Sequence, residues 1–74
     1  PIAYALVDAD VGKISELLKE LRNIESVAGV LFAGPHDIVV KVQAERFEQV
    51  AETVTKRIHD LPGISNTLTL FAFE

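Results

Sequence analysis

The chain contains no cysteine, so it can form neither a disulfide nor a thiolate site for catalysis or metal binding. No run approaches the roughly 20 apolar residues that a membrane-spanning helix needs, and no basic segment precedes an apolar stretch as in a signal peptide. Basic residues are a minority of 7 against 11 acidic ones, and a formal charge of −4 argues against direct binding to nucleic acid. We therefore expect a cytoplasmic protein that contacts neither DNA nor a membrane.

Apolar residues, by contrast, are abundant for so short a chain. The sequence has 74 residues, which is room for one domain, and 49% of them are hydrophobic. A domain of this size buries only about 60% of the surface of its unfolded chain and is marginally stable alone. The apolar surplus needs a place to be buried, and a second copy of the chain is the simplest one.

The organising stretch is a predicted β-hairpin. Two short, β-branched runs, Val27–Ala33 and Asp37–Gln43, flank the turn Gly34–Asp37. Glycine, proline and aspartate favour turns through free φ, fixed φ and side-chain bonds to the backbone, respectively. The tip offers free backbone amides, the imidazole of His36 and the carboxylate of Asp37. A plain turn without a function is the competing interpretation.

Two further stretches carry apolar residues at helical spacing. They comprise Ile14, Leu17, Leu18 and Leu21, and then Phe47, Val50, Ala51, Val54 and Ile58. Asp8 and Asp10 precede the first stretch as candidate helix caps, and Leu61-Pro62-Gly63 ends the second. Ile2–Val7 and Thr67–Phe73 are predicted strands. The order predicts an α+β fold, the ferredoxin-like βαββαβ sandwich with a four-stranded antiparallel sheet and both helices on one face.

The predicted first and last strands are apolar on both of their faces. In the first, Ile2, Tyr4 and Leu6 alternate with Ala3, Ala5 and Val7. Helices cover only one face of such a sheet, and a one-sided antiparallel sheet should alternate cleanly between apolar and polar residues. We therefore expect the uncovered faces of two chains to pack together into a dimeric α/β sandwich. The sequence does not say which set of residues lies on the uncovered face.

The sequence gives little support for a catalytic or metal-binding site. Pro1 could serve as the general base of a tautomerase, and a dimeric-barrel monooxygenase is the other enzymatic alternative for this fold. A tautomerase pocket needs arginines, and those of this chain lie on predicted helix surfaces: Arg22, Arg46 and Arg57. His36 and Asp37 lack further ligands for a metal, since His59 lies far along a helix. We expect no catalytic site, no metal and no cofactor.

Two motifs resemble a known family. The segment 34–42, Gly-Pro-His-Asp-Ile-Val-Val-Lys-Val, is similar to the Gly-x-x-Asp hairpin of the effector-binding RAM domain of Lrp/AsnC transcription regulators. Leu61-Pro62-Gly63-Ile64, followed by Thr67-Leu68-Thr69, is similar to the end of that domain. Their spacing and the order of elements fit as well, so the resemblance covers essentially the whole chain.

The resemblance implies sheet-to-sheet dimers that assemble into larger rings, commonly octamers, with a small effector, usually an amino acid, bound between dimers near the turn. It implicates Gly34, His36, Asp37, Thr67, Thr69 and Leu70. Backbone amides of the turn would take the α-carboxylate, and Asp37 the α-ammonium. No helix-turn-helix domain precedes the sheet in this sequence. We therefore expect a stand-alone, non-catalytic module that modulates transcription of amino-acid metabolism by co-assembling with full-length Lrp/AsnC regulators.

Overall fold

The computed structural model describes residues 1–34 and 37–73. Its strands are β1 (Ile2–Ala9), β2 (Val27–Ala33), β3 (Asp37–Gln43) and β4 (Ile64–Ala72). Its helices are α1 (Ile14–Arg22), which follows a 3-10 turn at Val11–Lys13, and α2 (Phe47–Glu52), which continues as a π-helical segment, Thr53–Ile58. The strands pair antiparallel in the order β2-β3-β1-β4. This is the expected ferredoxin-like arrangement.

The first strand runs two residues beyond its predicted end at Val7. The prediction that Asp8 ends β1 and caps the first helix is wrong, because Asp8 pairs with Asp37 of β3 and Asn66 of β4. Asp10 precedes the 3-10 turn but makes no side-chain capping bond. An exposed carboxylate at the end of a strand is hydrated there and does not require a helix terminus.

The last strand begins at Ile64, three residues before its predicted start at Thr67. Ile64 pairs with Ala9 beyond a register shift in the ladder, and the N–H of Asp10 donates to the carbonyl of Gly63 at 2.8 Å. The extension of β1 thus supplies backbone partners for the start of β4. The hairpin strands β2 and β3 occupy the predicted residues.

One face of the sheet lies under the helices. Its central strands contribute small or β-branched side chains, all nearly inaccessible: Ala3, Ala5, Val7, Ala9, Ile38, Val40 and Val42. The helical layer covers them with Leu17, Leu21, Val50, Val54 and Ile58. Fully burying a leucine, valine or isoleucine contributes about 1.5–3 kcal/mol, so this single cluster is the main stabilising feature. Alanines in β1 allow the helices to approach the sheet closely.

The Leu61-Pro62-Gly63 motif has a structural role. Gly63 has a φ of +94°, a backbone conformation that disfavours residues with a Cβ. A Cβ at this position would lie 2.7 Å from Cβ and 2.9 Å from Cγ of Lys13. Glycine therefore allows the chain to turn into β4 directly against the 3-10 turn.

Candidate functional site

The predicted hairpin tip is held by a left-handed glycine. Gly34 has a φ of +77°, and it directly follows Ala33, which pairs with Asp37 in the β2–β3 ladder. A Cβ on Gly34 would lie 3.3 Å from Oδ2 of Asp37, so the carboxylate lies directly over this glycine. Pro35 and the predicted site residue His36 lie outside the described residues. The turn thus places an exposed carboxylate beside a glycine that only tightly admits a side chain.

A second carboxylate, which sequence reasoning assigned to a helix cap, lies beside the first. Asp8 is directly opposite Asp37 in the β1–β3 ladder, and Asn66 is opposite Asp8 on β4. Cβ atoms of directly opposite residues are about 4.5–5.5 Å apart, and like charges in that position destabilise a sheet. A cationic group bound at this polar edge would relieve the repulsion. The alternation of side chains along a strand places Asp8 on the same face of β1 as Leu6, and this can be seen in the sequence. That Asp37 lies directly opposite Asp8 depends on the tertiary structure.

The remaining predicted site residues lie elsewhere in the same chain. Thr67 and Thr69 are half-buried opposite Val7 and Ala5, on the face that the helices cover. Leu70 lies on the opposite face and is 52% exposed. Adjacent strands lie about 4.8 Å apart and residues rise about 3.3 Å, so Leu70 is more than 10 Å from Asp37. One chain therefore does not gather these residues around a single ligand.

The uncovered face of the sheet is apolar over most of its area; we call it the open face. Its apolar members are Ile2, Tyr4, Leu6, Leu31, Ala33, Val39, Leu68, Leu70 and Ala72. Several remain strongly exposed, with Leu31 at 69% and Leu68 at 57%. Lys41 lies among them, opposite Tyr4 on β1 and Gly29 on β2. Contiguous apolar surface of this kind marks an interaction site on a protein.

An aromatic groove of about 530 Å³ opens at the other end of the sheet from the hairpin tip. It is lined by Pro1, Ile2, Gln43, Phe47, Phe71, Ala72 and Phe73. The rings of Phe47 and Phe71 form one wall, with centroids 5.3 Å apart and planes inclined by 41°. The arginines that a proline-based tautomerase needs do not line this groove within the described residues.

A polar cleft of about 150 Å³ lies between the loop before β2 and the second helix. It is lined by Glu25, Ser26, Gln49, Glu52, Thr53 and Arg57. Sequence reasoning placed Arg57 on a solvated helix face and missed this cleft, because a loop remote in sequence contributes one of its walls. Groups of three or more metal-ligating side chains are not found within residues 1–34 and 37–73. Neither helix in that part of the chain is long and apolar enough to span a membrane.

An antiparallel sheet with one helical layer leaves its apolar open face available for an interaction with another protein. The sequence model of the Lrp/AsnC ligand-binding domain matches residues 2–74. The chain belongs to this family of regulatory domains, which confirms the resemblance drawn from the two motifs.

Similar proteins agree with this assignment. The chain is 31% identical over 75 residues to an uncharacterised HTH-type transcriptional regulator of Pyrococcus furiosus, covering 96% of this chain and 50% of that protein. It thus spans about half the length of this curated relative. The crystal structure of TTHA0845 from Thermus thermophilus is 30% identical, with a TM-score of 0.88 over 99% of this chain and 92% of that one.

Escherichia coli AsnC shares the fold at 16% identity, with a TM-score of 0.74. The match covers 97% of this chain and 51% of the AsnC chain.

Proposed function

We propose that this chain is a non-catalytic module that binds an amino-acid effector and couples its binding to assembly. The hairpin tip carries the proposal: Gly34, in a left-handed conformation, lies beneath the carboxylate of Asp37. Membership of a ligand-binding regulatory family supports an effector role. The identity of the effector as an amino acid rests on the chemistry of the tip and on the family resemblance.

The open face is the proposed dimer interface. Leu6, at its centre, pairs with Val39 on one side and Leu68 on the other, so three apolar side chains form one row across the sheet. Tyr4 and Leu70 form part of the next row. Two such faces stacked together would remove these side chains from water, at about 25 cal/mol for each Å² of apolar surface buried. The result is the dimeric α/β sandwich expected from the two-sided apolar strands.

The hairpin tip has groups that are complementary to both charges of an amino acid. The Asp37 carboxylate accepts a hydrogen bond from the α-ammonium, and Asp8, directly opposite, adds a second negative charge that favours a cation there. Backbone N–H groups of the turn donate to the α-carboxylate. A hydrogen bond to a charged group contributes about 1.5–3 kcal/mol, so loss of the Asp37 carboxylate should lower the affinity by about ten- to a hundredfold.

The other predicted ligand residues would come from a neighbouring copy. Within one chain, Thr67 and Thr69 lie on the other face of the sheet from Asp37, and Leu70 lies more than 10 Å away. We therefore place the effector at a junction where the tip of one dimer meets β4 of another. A ligand at such a junction favours the larger assembly, and a ring of four dimers, an octamer, is the assembly we propose. By linkage, the larger assembly binds the effector more tightly.

In this proposal the module acts on transcription by co-assembling with full-length regulators of the same family. The chain matches about half of a relative described as an HTH-type transcriptional regulator. Its formal charge of −4 disfavours direct contact with DNA phosphates. The regulator would supply DNA binding, and this chain would supply effector binding and subunit contacts.

A calorimetric titration with the proteinogenic amino acids tests the effector site. Asp37→Asn should weaken binding of the responding amino acid by about ten- to a hundredfold, while light scattering shows whether that ligand raises the mean mass. Glu45→Gln, the same chemical change just beyond the opposite end of β3, is the matched control and should bind normally. If Asp37→Asn binds with wild-type affinity, the effector site is elsewhere and Asp37 only forms the turn.

A further inference from the structure

The polar cleft is separate from the hairpin tip. The N–H of Gln43 donates to the carbonyl of Ser26 at 2.8 Å, which fixes the loop before β2 at the end of β3 farthest from Asp37. The six residue steps from Asp37 to Gln43 span about 20 Å at about 3.3 Å each. A ligand in the cleft therefore does not touch the tip of the same chain.

The backbone on both sides of the cleft departs from regular geometry. Ser26 has a φ of 80° and is the sole non-glycine with positive φ in residues 1–34 and 37–73. The other wall changes at Thr53 from α-helix to the π-helical segment. The hydroxyl of Thr53, itself 3% exposed, donates to the carbonyl of Gln49 at 2.8 Å. Local strain and π-turns both occur preferentially at functional sites.

The π-turn aligns three polar side chains along this wall. Gln49, Thr53 and Arg57 recur every four residues, and all three line the cleft. An α-helix has 3.6 residues per turn, so a four-residue repeat drifts around its axis. In a π-turn the hydrogen bonds join residues five apart, so each residue rotates the chain by a smaller angle. Arg57 therefore lies nearly in line with Gln49 and Thr53 along the helix axis.

Charges of both signs face this cleft without being paired to each other. Ion pairs among the described residues are Lys13–Glu16 at 3.9 Å and Arg46–Glu48 at 3.3 Å. No carboxylate in that part of the chain lies within 4.0 Å of the Arg57 guanidinium. Glu25 and Glu52 line the same small volume as this cation. A cation and two carboxylates held apart around about 150 Å³ match the charges of a small zwitterion.

We propose that the cleft is a second ligand site, which binds the α-carboxylate of a free amino acid at Arg57 and its α-ammonium between Glu25 and Glu52. At about 10–15 Å³ of cleft volume for each water-sized group, the cleft has room for the common backbone part of an amino acid, which has about five non-hydrogen atoms. The ligand side chain then projects into solvent. The site recognises the α-carboxylate and the α-ammonium and discriminates little between the side chains of different amino acids.

Binding at this site is weak and depends on salt. Arg57, Glu25 and Glu52 are exposed, so water and ions screen their attraction for a ligand. We expect millimolar dissociation constants that rise with ionic strength. Such a site responds to the total pool of amino acids, whereas the hairpin tip proposed above would select one of them.

Titration of the ¹⁵N-labelled chain with glycine, followed by NMR, tests this inference. Glycine should shift the amide signals of Ser26 and Thr53 saturably. N-acetylglycine, which lacks the ammonium, and glycine methyl ester, which lacks the carboxylate, should each bind at least threefold more weakly. Arg57→Gln should weaken glycine binding by roughly three- to tenfold, because it removes the partner of the carboxylate. Lys56→Gln, the same loss of charge at a neighbour that does not line the cleft, should bind glycine like the wild type.

The two proposed sites fail independently. Glycine shifts confined to Gly34 and Asp37 would overturn the cleft site and leave the hairpin-tip site standing. Saturable shifts confined to Ser26 and Thr53 would support the cleft site, and the hairpin-tip site would then be decided by the calorimetric titration with the other proteinogenic amino acids. Unchanged affinity in Arg57→Gln, or equal affinity for glycine and both blocked analogues, would also overturn the cleft site.

Discussion

Replacing Leu6 with aspartate should abolish the proposed dimer. Leu6 lies at the centre of the open face, between Val39 and Leu68, and is 37% exposed in the single chain. Its side chain is directed away from the core that Ala5 and Val7 form with the helices. The substitution therefore places a carboxylate in the interface without removing a core side chain.

The expected effect is large because each dimer would contain the change twice. Leaving one charge buried without a partner costs about 3–5 kcal/mol, so two carboxylates cost about 6–10 kcal/mol. At about 1.4 kcal/mol per tenfold change, dimer affinity should fall by a factor of at least 10⁴. Val11→Asp is the matched control, because Val11 is 65% exposed in the 3-10 turn and lies outside the sheet.

Sedimentation velocity at micromolar concentration, with circular dichroism to follow folding, measures this effect. Wild type and Val11→Asp should sediment as dimers or larger species, and Leu6→Asp should not. Because an isolated monomer of this size is marginal, a second measurement is needed if Leu6→Asp unfolds. The melting temperature of the wild type must then rise with protein concentration, as mass action requires of a dimer. A Leu6→Asp dimer of wild-type affinity, or a melting temperature independent of concentration, would refute the stacking of open faces.

Three further substitutions test the account of the fold, each by urea denaturation. Gly63→Ala should lower the free energy of unfolding by about 2–4 kcal/mol, because a Cβ at φ +94° meets Lys13. Ser26→Gly should raise it by up to about 1 kcal/mol by relieving the positive φ; a decrease would mean that Ser26 is not strained. Leu21→Ala should lower it by about 2–5 kcal/mol, since Leu21 is fully buried; a loss below 1 kcal/mol would contradict its place in the core.

Local patterns predicted most of the fold. The hairpin strands Val27–Ala33 and Asp37–Gln43 have the predicted limits, because turn formers and β-branched runs are signals carried by neighbouring residues. Boundaries at Asp8 and Ile64 were wrong by a few residues. Each of these residues is in a strand because of a partner on another strand, and pairing of this kind leaves no local signal.

The candidate site was only partly predictable for the same reason. Asp37 could be singled out from its turn, but its neighbour Asp8 comes from a strand 29 residues earlier in the chain. The cleft at Arg57 depends on a loop from the first half of the chain and on a π-turn. Helical periodicity predicted the buried Val50, Val54 and Ile58 of that helix. It did not predict the exposure of Phe47, the burial of Thr53 or the change of winding at Thr53.

The sequence by itself determined the order of elements, the hairpin and the presence of strands that are apolar on both faces. Only the tertiary structure decided which face the helices cover. Both sets of β1 residues are apolar, so alternation could not choose between them. The helices lie over the set with Ala3, Ala5 and Ala9, and the bulkier Tyr4 and Leu6 are left on the open face. Small side chains let the helices approach the sheet closely, and close packing gains the most dispersion and burial energy inside a single chain.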